Sequence, residues 1–85
     1  MEVFVRLGPG FSQLAGVPRL TISLEPGATV HDLLGHLRQR YPTLGAALGS
    51  ALPVVRGTSV SADHPLAPGD EVAFLKPVSG GSAGR

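Results

Sequence analysis

At 85 residues, with 42% apolar and 15% charged residues and a net charge of +1, the chain has the composition of one small globular domain. The near-neutral charge, without a basic run or a set of stacking aromatics, argues against nucleic acid or a membrane surface as partner. The absence of cysteine excludes a disulfide, a thiolate nucleophile and a zinc–sulfur site.

Residues 2–7 alternate, with Val3, Val5 and Leu7 on one side and Glu2, Phe4 and Arg6 on the other. That predicts a strand with one fully apolar face. Glu2 and Arg6 also interrupt the N-terminal apolar stretch, so no signal peptide is expected, and no apolar run reaches membrane-spanning length. A cytoplasmic location is the expectation. Gly8-Pro9-Gly10 stops the strand; it lacks the Lys-Ser/Thr and long helix of a phosphate loop and reads as a turn. A short helical turn fits residues 11–16, ahead of Pro18. Alternation returns over residues 19–24, with Leu20, Ile22 and Leu24 on one side and Thr21 and Ser23 on the other. This second strand is expected to pair antiparallel with the first.

After the turn Glu25-Pro26-Gly27, Thr29 is a good N-cap and Asp32 suits the first helical turn. Val30, Leu33, Leu34 and Leu37 form a single apolar stripe, and Arg38 and Arg40 complement the C-terminal end of the helix dipole. Pro42 pushes Tyr41 out of helical geometry and ends the helix. Residues 44–52 are small and interrupted by glycine, which fits a short helical turn or an irregular crossover. Pro53-Val54-Val55-Arg56 reads as a third strand, Gly57 as a turn and Val60 as the restart of a short strand. Tight turns are expected at Asp63-His64-Pro65-Leu66 and Ala67-Pro68-Gly69-Asp70, before a last strand from Glu71 to about Lys76. Residues 1–78 then make one folded domain, and 79–85 have the composition of a flexible tail. Two strands, one helix and then short strands imply an α+β fold, with the helix packed on one face of a small sheet.

Other polar residues point to structure rather than chemistry. His31 and His36 are five apart, off the i, i+4 face that a helical metal pair needs, so no metal site is expected. His64 sits in a turn. Asp70 and Glu71 are adjacent, and neighbours on a strand face opposite ways, so they do not form an acid/base pair.

The stretch Ser61-Ala62-Asp63-His64-Pro65-Leu66, then Gly69-Asp70-Glu71-Val72-Ala73-Phe74, then Pro77-Val78-Ser79-Gly80-Gly81 resembles the MoaD/ThiS-type ubiquitin-like sulfur carrier family. Within it the MoaD type, the small subunits of molybdopterin synthase, is the most similar. Thr29-Val30-His31-Asp32-Leu33-Leu34 and the strand order before it fit the same pattern. The resemblance covers nearly the whole chain, and its motifs are specific over the C-terminal third. It implies a β-grasp fold with a small mixed sheet and one main helix. It also implies a carrier rather than an enzyme, with no bound cofactor.

In that family the C-terminal carboxylate is the working group. A partner enzyme of the ubiquitin-activating type uses ATP to convert it to an acyl-adenylate. A sulfurtransferase or cysteine desulfurase supplies sulfur, and the resulting thiocarboxylate donates it on the large synthase subunit. No cysteine is needed in the carrier. Carried over, Gly81 is the residue that bears sulfur and Gly80 its steric clearance, since residues without Cβ atoms can thread a narrow channel. An extended stretch from Lys76 to Gly81 would span roughly 20 Å at about 3.3 Å per residue.

Two features depart from the family pattern. Ser82-Ala83-Gly84-Arg85 follow Gly81, so a processing protease is expected to remove them. Lys76 stands where proline is common. By alternation Val72 and Phe74 share one side of the last strand and Leu75 takes the other. With the first pair under the helix, Leu75, Phe4, Arg6, Lys76, Pro77 and Val78 make the expected partner-binding surface. The alternatives are a carrier for thiamine, cysteine, tRNA thiolation or a secondary metabolite, a ubiquitin-like modifier joined through Gly81 to lysines, and an unprocessed binding module.

Overall fold

The first strand, β1 (Glu2–Leu7), buries every second residue, with Val3 and Val5 at zero exposure. This computed structural model describes residues 1–77. β1 leads through Gly8-Pro9-Gly10 into the short helix α1 (Phe11–Ala15), then returns as β2 (Arg19–Ser23), antiparallel to β1 with Phe4 opposite Thr21. The main helix α2 (Val30–Arg40) follows, then α3 (Pro42–Ala47) and a 3₁₀ turn at Leu48–Ser50. β3 (Leu52–Val55), β4 (Thr58–Ser59) and β5 (Glu71–Leu75) complete a five-stranded mixed sheet in the order β2-β1-β5-β3-β4. The first and last strands lie parallel at its centre, Val5 beside Val72 and Leu7 beside Phe74. The expected α+β architecture is the one found.

α2 starts where its cap dictates. The Thr29 hydroxyl accepts from the Asp32 N–H at 3.3 Å, and the Asp32 carboxylate accepts from the Thr29 N–H at 2.9 Å, a reciprocal capping box. The next two amides are also taken: Val30 N–H donates to His64 C=O and His31 N–H to Ala62 C=O. The loop that carries the histidine turn thus clamps the helix start, and no free donor is left there for an anion. The Thr29 N–H, and after it the Thr29 hydroxyl, hold the exposed Asp32 carboxyl below its ordinary 3.8. A lowered carboxyl pKa stabilises the fold above the ordinary value, and that contribution is lost as pH falls through the lowered one. Thr29→Ala is expected to cost about 1 kcal/mol at neutral pH, read by urea unfolding. The difference from the parent should shrink in acid, below the Asp32 titration.

Val30, Leu33 and Leu37 of α2 pack fully buried over the sheet, against Val3, Val5, Val72 and Phe74. Each such side chain contributes roughly 1.5–3 kcal/mol by leaving water. Leu34, expected in the same stripe, is only half-buried at the margin of this core.

Several boundaries differ from expectation; β2 stops at Ser23 and β5 at Leu75, each one residue short of the expected end. Pro42 ends α2 after Arg40, but it is also the first residue of α3, where its missing N–H costs nothing. The third strand is Leu52–Val55, one residue earlier than predicted, with Pro53 inside it. Arg56 leaves that strand: Arg56 and Gly57 are the two central residues of the hairpin turn, both at positive φ (53° and 76°). Such a two-residue turn suits the twist of the strands it joins. The short strand that follows is therefore Thr58–Ser59, and Val60 lies beyond it.

Candidate functional site

Of the residues expected to meet a partner, Phe4, Arg6 and Leu75 lie on the sheet face turned away from α2. Strand register sets its rows. Phe4 and Arg6 on β1 lie beside Glu71 and Ala73 on β5, and Leu52 and Val54 of β3 stand opposite Leu75 and Ala73. Leu75 is 42% exposed and Leu52 is 39% exposed, so the two form an apolar corner where β5 ends and β3 begins. Arg6 is exposed beside Ala73. Phe4 is not part of that corner. It pairs with Glu71 at the other end of the strand, half-buried beneath the Arg19 guanidinium, which lies 5.4 Å from its ring centroid.

Strands β1 and β5 finish side by side, with Gly8 N–H donating to Phe74 C=O at 3.2 Å. Lys76 and Pro77 follow β5, both exposed, and the Lys76 ammonium is 5.9 Å from the Phe11 ring centroid. Val78, Gly80 and Gly81 lie outside the described residues, as does the expected boundary between domain and tail.

A concavity of about 680 Å³ opens on this face, with Ala73 between walls formed by Arg6, Val54, Leu75 and Arg56. Both of its carboxylates are already held. Asp70, 7% exposed, accepts from Arg56 at 2.6 Å and from the Ala67 N–H at 2.9 Å. Glu71 meets Arg19 at 3.2 Å, an exposed pair that contributes little to stability. Arg6 has no acidic partner within ion-pair distance among the described residues, so the concavity keeps a positive charge. Among the described residues it is lined by no histidine, serine or lysine, and what they offer is shape and charge for recognition.

The histidines lie elsewhere. His31 and His36 project along the exposed side of α2, and His64 is half-buried in the loop that clamps the helix start. Leu52, Val54, Arg56 and Asp70 were not singled out for this face by sequence reasoning. Alternation within 52–55 carried a signal for the first two, but using it required knowing that β3 pairs with β5.

The model of the ThiS family matches residues 11–81. The chain belongs to the ThiS family. The molybdopterin synthase sulfur carrier subunit of Escherichia coli (strain K12) is 47% identical over 55 residues, 62% of this chain and 68% of its own. A Pyrococcus furiosus structure designated molybdopterin converting factor, subunit 1, superposes with a TM-score of 0.82 at 31% identity, covering 92% of this chain and 99% of that one. Small archaeal modifier protein 1 from Methanosarcina acetivorans gives 0.78 at 30%, covering 94% and 96%. The fold is thus the ubiquitin-like β-grasp that the motifs implied. Among the described residues, no helix is long and apolar enough to cross a membrane.

Proposed function

We propose that this ThiS-family chain is a sulfur carrier of the molybdopterin synthase small-subunit type. The observation that carries the reading is the family match, which ends on Gly81, joined to the 47% identity with a sulfur carrier subunit. Hydrolysis of the Gly81–Ser82 peptide bond frees the working carboxylate. That carboxylate attacks the α-phosphate of ATP on an adenylating partner, giving an acyl-adenylate and pyrophosphate. The terminal sulfur of a persulfide, supplied by a sulfurtransferase or cysteine desulfurase, then displaces AMP. A thiol reduces the acyl disulfide so formed and leaves the thiocarboxylate. The chain provides the acyl group and the docking face; its partners provide ATP and the acid/base groups.

The large synthase subunit docks on the corner of Leu75 and Leu52, with Arg6 beside it. Leu75→Glu is expected to weaken binding to that subunit roughly 30-fold or more, the size of an interface hot spot. The thermal midpoint should barely move, because Leu75 lies outside the core. Equal binding, read by calorimetry, would remove this corner from the interface.

The experiment for the whole reading is the intact mass of the untagged chain recovered from its own cells. A chain ending at Gly81 with one oxygen replaced by sulfur supports it. A full-length chain during active growth sinks it. The likeness to an archaeal modifier protein supports a second reading, conjugation through Gly81 to lysines of other proteins. Lysine-linked adducts that survive a denaturing gel would favour that route.

A further inference from the structure

The two edges of the sheet are unequal. β4 spans two residues, whereas β2 spans five and pairs on one side alone, with β1. The parity of that ladder is visible at its ends. Met1 and Leu24 exchange both backbone bonds, the amine donating at 2.6 Å and the Leu24 N–H at 2.8 Å, and Leu7 N–H donates to Pro18 C=O. Hydrogen-bonded pairs recur every second residue of an antiparallel ladder, so Leu20 and Ile22 carry the inner rungs. Arg19, Thr21 and Ser23 therefore direct their N–H and C=O groups outward. Arg19, paired with Glu71, is the strand's one charged residue, and no proline or bulge within it blunts this edge, as natural edges usually are.

Beside the edge, on the helix side of the sheet, runs a groove of about 530 Å³. Ile22 and Ser23 form one wall, and His36, Gln39 and Arg40 of α2 form the other. Arg40 lies 6.0 Å from the Tyr41 ring centroid and has no acidic partner within ion-pair distance among the described residues. The backbone thus calls for an extended strand and the helix wall for negative charge. A second copy of this chain fits less well, because the strand it would add is its own β2, Arg19–Ser23, which carries no carboxylate for Arg40 to pair with.

We propose that the β2 edge and this groove take up an extended acidic segment of a partner protein, added to the sheet as a sixth strand. Its alternate side chains enter the groove over the nearly covered Ile22 and beside His36 and Gln39, and its carboxylates pair with Arg40. The groove is on the opposite side of the sheet from Leu75, so the proposal stands apart from the carrier chemistry.

The test is amide hydrogen exchange by NMR on the full-length chain, titrated with a short peptide alternating valine and glutamate. Thr21 and Ser23 amides are expected to slow about tenfold or more at saturation, while Leu20 and Ile22, already paired, stay unchanged. The same peptide with lysine for glutamate should bind roughly tenfold more weakly, and Arg40→Glu should reverse that preference. Thr21→Pro removes an outward donor without breaking an inner rung, so the folded spectrum should persist while binding falls. Unchanged exchange at Thr21 and Ser23 with saturating peptide overturns the proposal, as does equal binding of the two peptides. Protection that appears without peptide as protein concentration rises overturns it in favour of a second copy.

Discussion

Trimming the chain after Gly81 is expected to raise its adenylation by a partner activating enzyme at least about a thousandfold, equivalent to about 4 kcal/mol of barrier. The full-length chain has an amide carbonyl at that position, joined to Ser82. An amide oxygen carries no full negative charge with which to attack the α-phosphate of ATP, and its nitrogen is a poor leaving group. The trimmed chain presents a carboxylate instead. The measurement is pyrophosphate exchange with the purified adenylating enzyme, comparing chains that end at Arg85, Gly81 and Gly80. A chain ending at Gly80 should also be slow, because the reacting atom is then set back by about 3.3 Å. Misplacement by about 1 Å can already cost a hundredfold. In a chain ending at residue 81, Gly81→Ala should reduce loading through the added methyl. Equal exchange by the full-length and trimmed chains would refute the processing step.

These changes should leave unfolding untouched, which separates loss of chemistry from loss of fold. The buried core of the described residues reaches no further along the chain than Phe74. Leu75 and the exposed Lys76 and Pro77 contribute no fully buried surface. Gly81→Ala and the parent should therefore share one thermal midpoint.

The parts of the fold legible in the sequence were those set by local periodicity. β1 announced itself by strict alternation, and α2 by its cap and stripe, because a period of two or 3.6 is a property of neighbouring residues. The Gly80-Gly81 pair was read from its motif alone, and it lies outside the described residues. What sequence reading missed depended on pairing. Phe4 and Leu75 share a face, but the parallel register of β1 and β5 sets Phe4 beside Glu71, away from the corner. Leu52 joins Leu75 only through the antiparallel pairing of β3 with β5. Arg56 reads locally as strand, and its left-handed backbone costs about 1 kcal/mol or more. In the fold the Arg56–Gly57 turn fits the strand twist, and Asp70, fourteen residues on, receives the guanidinium. A contact between residues so far apart leaves no periodic trace.

Gly45 is the sharpest case of such a hidden requirement, and Gly45→Ala is expected to destabilise the domain by about 2 kcal/mol. Within α3, an alanine would ordinarily favour the helix over glycine by about 1 kcal/mol. Here a Cβ would stand 2.5 Å from the Arg38 Cα, 2.7 Å from its Cγ and 2.8 Å from its backbone nitrogen. Two of those atoms belong to the backbone of α2, so the clash cannot be relieved by swinging a side chain. The helices must separate, loosening the buried Leu37 and Leu44 that flank the contact in sequence. Gly35, in the interior of α2, provides the control, since a Cβ there meets nothing within 4 Å. Gly35→Ala should therefore stabilise by roughly 0.5–1 kcal/mol. Opposite shifts of the thermal midpoint are expected, downward by about 10 °C for Gly45→Ala and upward by a few degrees for Gly35→Ala. If Gly45→Ala were as stable as the parent, the close approach of α2 and α3 would not be required by the fold. Its glycine would then be explained by neither packing nor propensity.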